Sequence, residues 1–180
     1  PVLDYDEASA SVGTASADNV VRYVQENSLS VDYILETHVH ADHLSGAHYL
    51  RRLLGGLVGI GAEITGVQST IAEIYSDSSP LARNGSQFDV LLEDEHRLAF
   101  GSLDIRVLHV PGHTPGCVAY LIGDALFAGD TLFMPDSGTA RCDFPGGDAR
   151  RLYRSIQRLL GLADTTRVFV CHDYQPNGRS

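Results

Sequence analysis

Apolar positions recur along this chain with two periods, mostly helical before residue 88 and strand-like from 88 to 133. The first thirteen residues carry no clear period and open as though at the end of a strand. Behind Ser16, a favourable N-cap, Ala17, Val20, Val21 and Val24 form a stripe that predicts a helix over 17–27. An apolar run over 31–36 reads as a buried strand. A second helix is expected from Asp42 through Leu54, with Leu44, Ala47, Leu50 and Leu54 on one face and Gly55-Gly56 ending it. His48 falls inside this helix, which gives it a surface or packing role. Residues 57–60 form a short strand, and Ile64, Val67, Ile71 and Ile74 predict a helix over 64–75. The stretch 76–87, rich in Ser, Pro, Asn and Gly, reads as a loop. Strands are expected at 89–92, 96–100, 103–110, 117–122 and 125–128, then a helix over 150–160 and a last strand over 167–171. His96 and His109 lie on strands, away from the turns, and read as structural. There is no internal repeat, low-complexity tract or linker, so one layered α/β domain over 1–180 is expected.

Composition narrows the partners. The chain has 180 residues with a formal net charge of −10, and all 13 basic residues are arginine. Such acidity repels nucleic acid and anionic membrane, so neither is expected as a partner. No apolar run approaches a membrane span and no signal peptide opens the chain. Cys117, Cys142 and Cys171 are an odd number without paired spacing, which argues against a disulfide framework and for a reducing compartment such as the cytoplasm. Cys117 and Cys171 lie in strand-like runs and are expected in the core. Cys142 lies in a polar loop, as a reactive thiol or an ordinary loop residue.

The candidate chemistry is concentrated where strands end. Thr37-His38-Val39-His40-Ala41-Asp42-His43 follows the first buried strand. Residues two apart in extended chain point the same way, so His38 and His40 can face one point, with Asp42 and His43 facing a second nearby. Neutral imidazole and carboxylate are the usual ligands of zinc and non-haem iron. Further along, Pro111-Gly112-His113-Thr114-Pro115-Gly116 sets His113 in a stiff turn, Gly129-Asp130 follows an apolar strand, and His172 ends the last one.

His-x-His-x-Asp-His, then Pro-Gly-His-Thr-Pro-Gly, then Gly-Asp, then a strand-end His resembles the ligand series of the metallo-β-lactamase superfamily, from Val31 to Tyr174. The resemblance implies an αββα sandwich holding metal at one edge of its two sheets. By motif match His38, His40 and His113 form one site. Asp42, His43 and His172 form another, with Asp130 between them. The segment from Met134 to Asp148, containing Asp136, Arg141, Cys142 and Asp143, is similar to that of bacterial persulfide dioxygenases, relatives of the mitochondrial sulfur dioxygenase. In that branch one Fe(II) per chain is held by residues matching His38, His113 and Asp130, while His40, Asp42, His43 and His172 shape the surroundings by hydrogen bonding.

This branch implies oxidation of glutathione persulfide by O₂ to sulfite and glutathione. Arg141 is the first choice for a substrate carboxylate, against a local ion pair with Asp143. Tyr174 either donates a hydrogen bond to substrate or a ligand, or packs its ring. The alternative in the same superfamily is a glyoxalase II-type thioester hydrolase with two Zn(II) per chain. A third is a non-catalytic metal-binding or sulfide-sensing module. Relatives in the family carry a first hairpin and a C-terminal extension that this chain is expected to lack, the latter contributing to the pocket or to a homodimer surface.

Overall fold

The computed structural model describes residues 2–39, 44–75, 82–175 and 178. His40, Asp42 and His43, and 76–81 of the expected loop, lie outside the described residues.

Two sheets face each other. In the first, β3 (Tyr33–Leu35), β4 (Leu57–Gly61) and β5 (Val90–Leu92) run parallel in that order. The second contains β6 (Arg97–Phe100), β7 (Leu103–His109), β8 (Val118–Ile122), β9 (Ala125–Phe127) and β10 (Arg167–Phe169), in the order β10-β9-β8-β7-β6. Its pairings are antiparallel except for β9 with β10.

Strand alternation sorts the layers. Ile105 and Val107 of β7 and Val118 and Tyr120 of β8 point inward to Leu92, Val90, Tyr33 and Leu35 of the first sheet. Their neighbours Leu108 and Ala119 point outward, where they join Leu126 and Ala128 under Leu159 of α4 (Ala149–Leu160). On the other side α1 (Ala15–Glu26) and α2 (Ala47–Leu54) set Ala17, Val21, Ala47 and Leu50 against Ile34 and Val58. The α3 helix (Ile64–Ile74) packs Ile64 and Val67 against Ile60. The result is the expected αββα sandwich. Each fully buried Ile or Leu, such as Ile60, Leu92 and Leu108, contributes about 1.5–3 kcal/mol over its exposed state.

Several boundaries differ from the sequence expectation. The α1 helix starts behind Thr14, not Ser16, because the Ser16 amide donates to Asp4 Oδ2 at 3.0 Å. Asp4 belongs to a hairpin, β1 (Asp4–Asp6) with β2 (Ser11–Gly13), in the stretch without a clear period. Strands of three residues are too short for alternation to show. Helix α2 begins at Ala47 rather than Asp42. Leu44 and Ser45 are held extended by the N-terminal segment: the Leu3 amide donates to the Leu44 carbonyl at 2.8 Å, and Val2 bridges Ser45. Cys117 is in the core as expected, whereas Cys171 is exposed, because it follows β10, the edge strand of its sheet. Among the described residues no helix is long and apolar enough to cross a membrane.

Candidate metal centre

Three loops at one edge of the sandwich converge. The chain leaving β3 carries Thr37 and His38, and the Thr37 carbonyl accepts from the Val118 amide at 2.9 Å. That bond ties the end of β3 to the start of β8, and so to the turn before it.

This turn carries His113 and is braced from behind. The Gly112 carbonyl accepts from the Asp148 amide at 2.9 Å, and the Pro111 carbonyl from Ser155 Oγ at 2.7 Å. His109 Nε2 donates to the Pro115 carbonyl at 2.9 Å, which gives this strand histidine the structural role expected of it. Gly112 has φ +144°, and a Cβ there would lie 2.3 Å from the Leu152 backbone. The turn therefore lies directly on α4.

The third loop is a single 3-10 turn, Gly129–Thr131, that presents Asp130. Gly129 has φ +56°, and its missing Cβ would press on the Thr37 side chain at 3.0 Å. Glycine thus permits both the turn and the close approach of the β3 loop.

The segment resembling the persulfide dioxygenases straps two of these loops together. Thr139 Oγ1 donates to the Thr131 carbonyl at 2.9 Å, the Arg141 carbonyl accepts from His113 Nδ1 at 2.6 Å, and Asp148 reaches Gly112 before capping α4. The sequence offered no sign that the backbone of Arg141, rather than its side chain, would meet His113.

The ligand geometry follows. His38, His113 and Asp130 each offer one donor atom, and these atoms lie within 4.8 Å of one another. Asp130 Oδ2 is 3.6 Å from both His38 Nε2 and His113 Nε2. That is too long for a hydrogen bond, yet shorter than twice a metal–ligand distance of about 2.1 Å. His113 Nδ1 donates to a carbonyl, so in the neutral ring Nε2 keeps its lone pair, the tautomer a metal needs. Asp130 Oδ1 is buried with no hydrogen-bond partner among the described residues. Two imidazole nitrogens and a carboxylate oxygen in this arrangement fit a divalent ion, and the three residues form a metal-binding site.

The centre is buried, with His38 4%, His113 1% and Asp130 4% exposed. Burial pushes the Asp130 carboxyl up, but the His38 imidazole, with His172 and His113 beside it, more than offsets this and holds it below the usual carboxylate range.

His172 approaches the other oxygen of the same carboxylate, with Nε2 3.6 Å from Asp130 Oδ1. Its ring stacks on Tyr174 at 5.4 Å, and Phe133 meets both rings edge-on. Arg141 pairs with Asp143 at 2.8 Å while its guanidinium lies over the Phe144 ring at 4.3 Å. Phe144 in turn stands edge-on to His113 at 5.5 Å. A cavity of about 390 Å³ with a mixed polar and aromatic lining opens here, among His113, Asp130, Thr139, Arg141, Phe144 and Tyr174. Phe133 and Phe144, its aromatic walls, were not singled out in the sequence. Phe144 sits inside the diagnostic segment, so a signal for it was present.

Comparison with known proteins agrees with this geometry. Residues 11–172 match the model of the metallo-beta-lactamase superfamily. A probable metallo-hydrolase of Burkholderia pseudomallei is 52% identical over 99% of the chain and 64% of its own length. The human mitochondrial persulfide dioxygenase ETHE1 is 32% identical over 88% of the chain and 56% of its own length. The crystal structure of ETHE1 from Myxococcus xanthus superposes with a TM-score of 0.71 and 32% identity, covering 99% of this chain and 71% of that one. The chain thus spans less than two thirds of either relative compared by sequence. With its sandwich, its ligand loops and 11–172 all in agreement, the chain belongs to the metallo-β-lactamase superfamily, with a structural neighbour in the persulfide dioxygenase branch.

Proposed function

We propose that this domain is a persulfide dioxygenase that uses one Fe(II), held by His38, His113 and Asp130, to oxidise glutathione persulfide. In balance, glutathione persulfide, O₂ and water give glutathione, sulfite and two protons. The outer sulfur loses four electrons and O₂ takes up four. The observation that carries the proposal is the convergence of two imidazoles and one carboxylate under a strap formed by the 134–148 segment. Bound iron would supply the redox chemistry that joins oxygen to sulfur.

The residues of the chain do the rest. The Arg141 carbonyl fixes the ring of His113. Burial of the three ligands keeps bulk water from their far side, so substrate enters through this cavity. Arg141, two-thirds exposed and paired with Asp143, lines the cavity and would receive a carboxylate of glutathione. Tyr174 lines the same cavity and can donate its hydroxyl to bound substrate.

The test is oxygen uptake by the iron-loaded protein on addition of glutathione persulfide, with sulfite as product. Oxygen and sulfite in a one-to-one ratio support the proposal; no oxygen uptake with iron in place refutes it.

A second reading, a two-zinc thioester hydrolase, is favoured by one feature. The two oxygens of Asp130 face different histidines, Oδ2 towards His38 and His113 and Oδ1 towards His172, as a carboxylate shared between two ions would. The 52% identical relative is also named a probable metallo-hydrolase. Cleavage of a glutathione thioester by the zinc-loaded protein, without oxygen uptake by the iron form, would establish that reading. Metal binding with neither activity would leave a non-catalytic module.

A further inference from the structure

A second cavity adjoins the centre and is more apolar than the first. It measures about 310 Å³ and lies between α3 and the turn after His113. Val67, Ile71 and Ile74 form one wall; Val39, Pro115 and Phe144 form the other. Among the described residues no charged side chain lines it. Phe144 belongs to both cavities, so its ring divides a more polar chamber from a more apolar one. Three of its lining residues are chain neighbours of the ligands: Val39 follows His38, and Thr114 and Pro115 follow His113.

The core accounts for Val67 but not for the rest of this wall. Ile64 and Val67 complete the packing of α3 against Ile60, Phe88 and Leu91. Ile71 and Ile74 continue the Val67 stripe at four- and seven-residue spacing, yet remain 43% and 51% exposed. A lone exposed isoleucine needs no explanation, but a continuous apolar wall beside a metal centre marks a ligand site.

We propose that this cavity binds the apolar arm of a sulfur substrate, an alkyl or aryl group whose terminal sulfur reaches the His38–His113–Asp130 centre. The inference rests on the sulfur chemistry proposed above and extends its substrate range from glutathione persulfide to persulfides of apolar thiols. The more polar chamber takes the charged arm of a peptide thiol, and the more apolar chamber takes a hydrocarbon arm.

The test is calorimetric titration of n-alkane-1-thiols, from ethane to octane, into the iron-loaded protein without oxygen. The dissociation constant should fall about fourfold per methylene, the equivalent of ~0.8 kcal/mol, until the cavity is filled. Ile71→Asp should flatten this dependence, and so should Ile74→Asp, both at exposed positions where the fold tolerates a charge. Leu160→Asp, 65% exposed on α4, should leave it unchanged and so control for non-specific partitioning. A dissociation constant independent of chain length, or a slope that survives both α3 variants, overturns the proposal. Oxygen uptake with glutathione persulfide reports separately. Uptake without a chain-length slope removes the apolar arm alone, and a slope without uptake removes the dioxygenase reading alone.

Discussion

The turn that carries His113 and the segment that carries His172 approach the same carboxylate, but they are built differently. His113 sits on a turn clasped from every side: α4 beneath Gly112, Ser155 on Pro111, His109 on Pro115 and the Arg141 carbonyl on its own ring. His172 follows an edge strand of three residues, and its ring stacks on an exposed tyrosine. The first arrangement fixes a ligand before any ion arrives, at little further entropic cost. The second is closer to solvent, with 29% of its side chain exposed, and suits a group that meets substrate or tunes the centre. On the one-iron proposal, the difference separates a binding set, His38, His113 and Asp130, from an accessory arm.

The sharpest way to break this division is His113→Ala. It should abolish iron binding and reduce oxygen uptake by at least about 100-fold, since only His38 and Asp130 of the three ligands would remain and loss even of a group behind a ligand costs about 10–100-fold. Metal analysis beside the activity assay checks it, and retention of both would remove His113 from the set.

Gly112→Ala attacks the bracing instead of the ligand. The new Cβ would overlap the α4 backbone, so a loss of about 3 kcal/mol or more is expected in denaturant unfolding, with weaker metal binding. A stable variant with full metal content would show that the turn is not held as described.

Arg141→Ala separates the backbone contact of this residue from the substrate role proposed for its side chain. Its backbone carbonyl stays on His113 while the guanidinium is lost, so metal content should be unchanged. KM for glutathione persulfide should rise about tenfold with little change in kcat. An unchanged KM would leave Arg141 as the partner of Asp143 and nothing more.

Asp94→Asn is the mildest probe, aimed at the frame behind the braced turn. Asp94 accepts from the His109 amide at 2.8 Å and from Arg158 of α4. Burial pushes its carboxyl up, but the His109 amide and the Arg158 guanidinium outweigh this and hold it below its ordinary value of 3.8. A depressed carboxyl stabilises the fold above its unfolded pKa, and that contribution disappears as pH falls through the folded value. Solvent screening limits the loss in the variant to about 1 kcal/mol at neutral pH. The gap between wild type and variant should be full above about pH 5 and should close at lower pH, read by thermal unfolding across pH.

Much of this was legible in the sequence, because its strongest signals are local. Helical spacing at Ile64, Val67, Ile71 and Ile74 predicted α3 to within a residue, and Gly55-Gly56 marked the end of α2. His38, His113 and Asp130 stood among seven candidates after strand ends; the family resemblance, not position, picked out these three, and the structure brings them together. What was missed depends on partners distant in sequence. The start of α2 is set by Val2 and Leu3, and the cap of α1 by Asp4. Cys171 read as a core residue because its run is apolar, yet edge position is a property of the sheet and not of the run. The grip of the Arg141 carbonyl on His113 is a backbone interaction, for which side-chain identity carries no signal.

The most direct measurement is metal content per chain, by elemental analysis after anaerobic purification, for the wild type and His172→Ala. A binding set of His38, His113 and Asp130 predicts about one iron in both proteins, with only the reaction rate altered in the variant. About two metal ions in the wild type, falling to one in His172→Ala, would contradict it and make the accessory arm a second metal site.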